Sequence, residues 1–373
     1  MFQTNLRSAT TNIAPLTLLA LVLICNPLAQ AQRLTVIHAF TGGYDGGFPE
    51  AGLTMDRTGN LYGTTFDQGF AGVPIVGDGK VFKLGSDGVF TRLYSFAGGT
   101  DGANPSARVI FGPNGSLYGT TCAGGGSGCS IGSFVGCGTV FNLRIPPTVC
   151  KTALCAWNET VLYRFTGGDD GGNPGDADII FDQAGSIYGA ALVGGIYGNC
   201  NNGDACGTVY KLIASDGGWQ ESVLHNFGEG SDGQYPEGVI FDGSGNLYGT
   251  TYGGGSSGNA GTVFQLTPSG SGWTESVLYN FSYLTNNGAS PAAGLIFGQS
   301  GNNLYGATSQ GGQNNGGTAF ELMPSGDTWT FSLLYGFSEA GCCEGPAASL
   351  VMDTSGNLYG TTWGGGANQL GRL

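Results

Sequence analysis

Charge is scarce in this sequence, and positive charge is scarcest. Of 373 residues 10% are charged, with 12 Lys+Arg against 26 Asp+Glu and a net charge of −14. No basic footprint is available to displace counterions, which argues against nucleic acid as a partner and against an anionic membrane surface. Only two histidines are present, leaving little for imidazole chemistry. After residue 31 no apolar run approaches the length of a membrane-spanning helix, and no segment keeps helical periodicity. The cysteines include no CxxC pair and have no histidine among them, so a zinc site is not expected. Glycine strings such as Gly124-Gly125-Gly126 are not followed by Lys-Ser/Thr, which excludes a P-loop. The residues therefore point to no catalytic group, no metal and no cofactor.

Glycine is what the chain has in excess. Its 73 glycines are about one residue in five, near three times ordinary usage. With 40% hydrophobic and 11% aromatic residues, such a chain folds if the glycines follow a period. The beginning is different in kind. Arg7 is the one charge in the first 31 residues, Pro15 to Cys25 is a short apolar run, and Ala29-Gln30-Ala31 reads as a cleavage site. Residues 1–31 are thus expected to be a signal peptide and 32–373 a single domain, secreted or otherwise extracytoplasmic, in a bacterial periplasm or at the cell surface. Nine cysteines after residue 31 fit an oxidising compartment. The disulfide candidates are Cys129 with Cys137, Cys200 with Cys206, and the close residues Cys150, Cys155, Cys342 and Cys343. One cysteine of the loop that holds Cys122, Cys129 and Cys137 is expected to stay outside any disulfide.

The period exists. A Leu/Ile-Tyr-Gly string places tyrosines at 62, 118, 188, 248, 305 and 359. A phenylalanine closes a second recurring string at 40, 96, 165, 227, 281 and 337. GTVF or a variant stands at Lys80-Val81-Phe82 and again from Gly138, Gly207, Gly261 and Gly317. Each repeat reads as four short strands rich in β-branched and aromatic residues between Gly, Pro, Asn and Asp turns, as in Gly238–Asp242, Leu247–Thr251, Gly261–Leu266 and Glu275–Phe281. In the last of these Val277, Tyr279 and Phe281 alternate with Leu278, so a strand apolar on both faces is expected between packed layers. Gly63 and its equivalents are expected to admit a neighbouring aromatic ring.

These features predict an all-β fold, a β-propeller of six four-stranded blades, or seven in a longer native chain. The last blade is expected to close with N- and C-terminal strands, Leu34 to Phe40 serving as its fourth strand. Residues after Thr362 hold no GTVF-like run.

The pattern AGLxxDxxGNLYGTTxxGGxxxxGTVFxLxPxGxxxxxLYxFxGGxDGxxP resembles the Gloeobacter/Verrucomicrobia ("GloVer") tandem repeat, over about residues 34–366. Its DxxGNLY portion is also similar to NHL-type propeller repeats. The resemblance implies an exported bacterial protein of the kind that carries varied C-terminal anchors. It implies no reaction and no catalytic residues.

The candidate site lies in the loops after the closing phenylalanines. Asp45, Asp101, Asp170 and Asp232 each precede glycine, and Pro49, Pro105, Pro174 and Pro236 follow four residues later. Asp bonding its own backbone, Gly supplying positive φ and Pro opening the next strand would be ordinary turn chemistry. On one face of a propeller the same carboxylates would ring the channel mouth, within reach of a ligand. One Asp per loop is thin for a calcium cage, so no metal is expected. His38 and His225 stand where other repeats have Tyr94, Tyr163, Tyr279 and Tyr335, and are expected to be packing residues. The function expected is a binding or scaffold module for a glycan or surface protein, a monomer and not an enzyme. The alternative is an extracytoplasmic carbohydrate-active hydrolase or lyase using the loop carboxylates.

Overall fold

The computed structural model describes residues 35–66, 78–126, 130–131, 134–145, 157–175, 177–200, 204–228, 230–337, 345–346 and 348–362. The expected signal peptide and Cys129, Cys150, Cys155, Cys342 and Cys343 lie outside these residues. Two compact bodies are distinguished, Met1–Ala39 and Phe40–Leu373. In the first, residues 35–39 form no strand, so among the described residues the N-terminal strand expected at Leu34 to Phe40 is not seen. Val36 and Ile37 are exposed, so little apolar burial favours a strand at this segment.

The second body is all β apart from a short 3-10 turn at Gln313–Asn315. Five antiparallel four-stranded sheets follow one another along the chain. The first comprises Thr54–Met55, Leu61–Thr65, Lys80–Leu84 and Phe90–Ser95, and the second Ile110–Phe111, Leu117–Thr121, Thr139–Arg144 and Asn158–Arg164. The third comprises Ile180–Phe181, Ile187–Ala191, Thr208–Ser215 and Gly218–Asn226. The fourth comprises Gly233–Phe241, Leu247–Gly254, Thr262–Ser269 and Gly272–Asn280, and the fifth Ile296–Phe297, Leu304–Thr308, Thr318–Ser325 and Thr328–Gly336. The sixth repeat supplies two strands, Val351–Met352 and Leu358–Tyr359. Among the described residues no ladder joins the sixth sheet to the first, so the expected closure by paired terminal strands is not seen.

Each repeat string has a structural reason. The second-strand glycine lies beneath the third-strand aromatic ring. A Cβ on Gly63, Gly119, Gly249 or Gly306 would stand 2.5–2.7 Å from the tip of Phe82, Phe141, Phe264 or Phe320. The closing phenylalanine reaches the next sheet, edge-on to the same ring. Phe96 meets Phe141, Phe227 meets Phe264 and Phe281 meets Phe320, all at 5.1 Å between centroids. Consecutive sheets are thereby joined by buried apolar cores, such as Tyr188, Val209, Phe227, Val239 and Leu247 around Phe264. The turn aspartate of DxxGN is a knot of acceptors. Asp242 Oδ1 takes the amides of Ser244 and Asn246, and Oδ2 takes Asn246 Nδ2 at 2.7 Å and the Tyr248 hydroxyl at 3.2 Å.

The outer strand departs from expectation. Val263 pairs with Tyr279 and Phe264 with Val277, so Leu278 is an extra residue in a β-bulge. Leu93, Leu162, Leu224 and Leu334 occupy the same unpaired place. What reads as a strand apolar on both faces is a bulge, recurring in five sheets, that gives the leucine its own direction.

Candidate functional site

The inner segments of all six repeats face one cavity of about 700 Å³. Its wall is tiered by the register of the strands. Ile110, Ile180, Ile240, Ile296 and Val351 form an apolar belt. Two residues earlier the wall is made of Gly52, Arg108, Asp178, Gly238, Gly294 and Ser349. Four of these are glycine or serine, which leaves room, and two are charged. Beyond them, next to the loop prolines, stand Glu50 and Glu237.

Arg108 and Asp178 come from neighbouring repeats and meet. Arg108 Nη2 is 2.8 Å from Asp178 Oδ2, and the Arg108 amide donates to Oδ1 at 2.9 Å. Both side chains are about one-third exposed, so the pair faces the cavity while Arg108 Nε is buried without a partner. Gly52 lies beside the pair, where a Cβ would be in ordinary contact with Arg108 Cδ at 3.5 Å. Sequence reasoning missed this pair. The signal was available as a break in the repeat: the position ten residues before the tyrosine is Gly52, Gly238 or Ser349 elsewhere and turns charged at 108 and 178.

The four loop aspartates are bound into their own turns. Asp45 accepts from the Thr41 amide and hydroxyl. Asp101 accepts from the Ala97 amide at 2.7 Å and from the Tyr94 hydroxyl at 2.6 Å. Asp170 accepts from the Thr166 amide and hydroxyl and from the Tyr163 hydroxyl at 3.0 Å. Asp232 accepts from the Gly228 and Gly233 amides, with His225 Nε2 at 3.4 Å. His225 thus does in the third repeat what tyrosine does in the first two. Gly102, at φ 105, lies where a Cβ would be 2.9 Å from Thr121 Oγ1, which is why glycine follows the aspartate.

Each of three loop aspartates also faces a glutamate of the next sheet. Burial, and then the charge of the neighbouring aspartate, pushes Glu159, Glu221 and Glu275 up to about 7, the partners being Asp101, Asp170 and Asp232. One oxygen of each glutamate is buried without a hydrogen-bond partner. Arg164 and His225 pull Glu159 and Glu275 the other way. Among the described residues no group of three or more His, Cys, Asp or Glu is placed to hold a metal ion.

The cysteines flank this end of the molecule. Cys200 and Cys206 are disulfide-bonded, their Cα atoms 5.3 Å apart, in the loop between the second and third strands of the third sheet. Cys137 is disulfide-bonded as well, its expected partner Cys129 lying outside the described residues. Cys122 is buried, with its Sγ 2.7 Å from Ser106 Oγ. No helix among the described residues is long and apolar enough to cross a membrane.

Comparison with known proteins follows the repeat. Residues 194–373 match the family model of the Gloeobacter/Verrucomicrobia repeat. No curated protein matches the chain. Among solved structures, a 6-phosphogluconolactonase candidate from Bacteroides uniformis is 13% identical, with a TM-score of 0.50, covering 84% of this chain and 77% of its own. A glucose dehydrogenase candidate from Thermus thermophilus is 16% identical, with a TM-score of 0.47, covering 85% and 90%. PorZ, a surface component of the type-IX secretion system of Porphyromonas gingivalis, is 16% identical, with a TM-score of 0.47, covering 90% of this chain and 41% of its own. At 13% identity the first of these is a likeness of fold alone, a propeller-like succession of four-stranded sheets.

Proposed function

We propose that this chain, which carries the Gloeobacter/Verrucomicrobia repeat over residues 194–373, is an extracytoplasmic propeller whose six repeats surround the central cavity and which works there as a binding module. The observation that carries this reading is the cavity wall. A scaffold needs only small residues where the inner strands converge, and Gly52, Gly238, Gly294 and Ser349 meet that need. The Arg108–Asp178 pair joins two neighbouring repeats and puts two charges on that wall, more than packing of small residues calls for, and it leaves Arg108 Nε buried without a partner. Concave sites with a few polar groups on an apolar wall are where ligands are held. Asp45, Asp101, Asp170 and Asp232 frame the mouth by fixing the loops. A disulfide at Cys200–Cys206 supports an oxidising compartment, and residues 1–31 would serve as the export signal.

The test is a glycan array, with isolated surface proteins as a second panel, probed with the protein and with the double variant Arg108→Ala, Asp178→Ala. Removing both charges together avoids stranding one of them. Retention of a ligand that the variant loses, at unchanged melting temperature, supports the reading. Turnover of a glycoside, ester or lactone by the wild type would instead put the hydrolase reading first.

A further inference from the structure

We infer that the sixth sheet is a docking edge: the outer side of residues 358–362 takes an extended, uncharged strand from a partner protein, with an aromatic residue opposite Gly360. The partner strand has the Thr-Val-aromatic pattern of this repeat's own third strand. The inference is independent of what the central cavity binds.

One pentapeptide occurs four times in the chain and meets two fates. Leu-Tyr-Gly-Thr-Thr stands at 61–65, 117–121, 247–251 and 358–362. In the first three places a third strand pairs with its outer side and sets Phe82, Phe141 or Phe264 opposite the glycine. The tyrosine is there 5–7% exposed. In the last place Leu358 and Tyr359 pair inward with Met352 and Val351. No ladder lies on the outer side among the described residues, and Tyr359 is 42% exposed. The five residues are the same, so what differs is the strand beside them.

The edge is preformed. Asp353 accepts from the Ser355 and Asn357 amides and from the Tyr359 hydroxyl, as Asp242 does in the fourth sheet. A Cβ on Gly317 would stand 3.0 Å from Pro346 Cδ, much as one on Gly261 would stand 2.6 Å from Pro291 Cδ, so the sixth repeat is seated on the fifth in the usual way. The seat for a ring is open. Among the described residues a Cβ on Gly360 would meet Leu350 Cδ2 at 2.7 Å and no aromatic, whereas the equivalent glycines of the five full sheets each lie under a ring. The strand that faces this place is bare as well. Leu333, Leu334 and Tyr335 of the fifth sheet are 42–56% exposed, while their equivalents Val277, Leu278 and Tyr279 are half-buried beside the next sheet.

Backbone and charge define the partner. Residues 358–362 hold no Lys and no Pro to blunt the edge, and such an edge is a template for a further strand. An added strand pairs its N–H and C=O groups, and pockets for alternate side chains give the selectivity. Strand Thr328–Gly336 carries no charged side chain, and residues 351–362 carry Asp353 alone, which is spent in its turn. On a protein of net charge −14 this is a neutral, apolar face. A charged strand would lose hydration there with no counter-charge to meet it. An uncharged strand with a ring opposite Gly360 gains both the ladder and the seat.

Fluorescence anisotropy of a labelled synthetic peptide of residues 260–271, the third strand of the fourth sheet, tests this against the full chain. The peptide binds with a Kd of about 10 μM or tighter, and the same peptide carrying Phe264→Ser binds at least about tenfold more weakly. Gly360→Ala in the protein weakens binding by a similar factor, because its Cβ takes the ring seat. It leaves the melting temperature unchanged, since the nearest atom is the movable end of Leu350. By hydrogen exchange the outward amides of residues 358–362 are open in the protein alone and protected by the peptide. Absence of binding overturns the inference, as does equal binding of the two peptides or undiminished binding to folded Gly360→Ala. The two peptides on the unaltered chain decide even where Gly360→Ala fails to fold. Protection of those amides before peptide is added also overturns it: at every protein concentration it assigns the edge to another segment of this chain, and at high concentration alone to a second copy.

Discussion

Two seams between neighbouring sheets solve one packing position in opposite ways. Where the third sheet meets the fourth, Glu275 of the outer strand faces Asp232 and His225. Where the fourth meets the fifth, the equivalent residue is Phe331 and the loop residue is Asn287. Phe331 stacks on Tyr279 at 4.5 Å between centroids and lies against Phe281 and Phe320. Asn287 Nδ2 donates to the Tyr279 hydroxyl at 2.6 Å. The seams before it follow the acidic pattern, with Glu159 against Asp101 and Glu221 against Asp170. The outer-strand register is the same in these seams, although the Asn287 loop is one residue longer, so the repeat fixes the strands and leaves the chemistry of the seam free. One solution gains ring contacts. The other holds two carboxyls in a half-buried place and needs a proton to do so quietly.

The aromatic seam should be the harder one to lose. Phe331→Ala removes a ring packed on three others and is expected to cost about 3 kcal/mol by chemical denaturation. Glu275→Ala in the corresponding place should cost far less. Equal losses would mean that the ring contacts carry no special share.

The acidic seams should be sensitive to pH, and the aromatic one should not. A glutamate raised from its ordinary value near 4.5 to about 7 contributes stability that is fully present below the ordinary value and is lost as pH rises through about 7. The urea midpoint of the wild type therefore falls between about pH 5 and about pH 8. The triple variant Glu159→Gln, Glu221→Gln, Glu275→Gln should flatten that fall. A wild-type midpoint constant over the same range would show that the three carboxyls are not strained by burial and by each other.

A smaller effect is expected where one repeat departs from the rest. Tyr210 is fully buried at a position that is phenylalanine in four repeats, and its hydroxyl has no partner. Burial pushes that hydroxyl up beyond the range where it could ionise. Tyr210→Phe should stabilise by about 1 kcal/mol, since an unsatisfied buried group is removed and the ring is kept. Destabilisation on denaturant unfolding would reveal an unseen partner, such as a buried water.

The smallest effect concerns the loop aspartates. Asp101→Asn gives up an acceptor but relieves the repulsion of Glu159, and Asn287 shows that the fold accepts an amide there. A change within about 0.5 kcal/mol is expected. Millimolar Ca²⁺ should leave the melting temperature unchanged, as only a ligand of the folded state moves it. A rise with calcium that Asp101→Asn abolishes would make these loops a metal site.

Much of the fold was legible in the chain. Tyrosine, phenylalanine and GTVF strings in one order locate the strands, the turns and even the glycine beneath each ring, because every string is a local solution repeated in place. The Asp-Gly-Pro loops and the Cys200–Cys206 bridge are local too, and short spacing suffices to see them. The bulge at Leu278 was not legible, since an extra residue in an apolar strand looks like a second buried face. Nor was the meeting of Arg108 with Asp178, which are 70 residues apart in the chain. Their contact, the facing of Glu159 toward Asp101 and the convergence of Glu50 and Glu237 on one cavity arise only when neighbouring sheets turn about a common centre. A periodic sequence states what each repeat is. Only the packing of repeat against repeat decides which of their differences come to face one another, because that is set by rotation between sheets and not by distance along the chain.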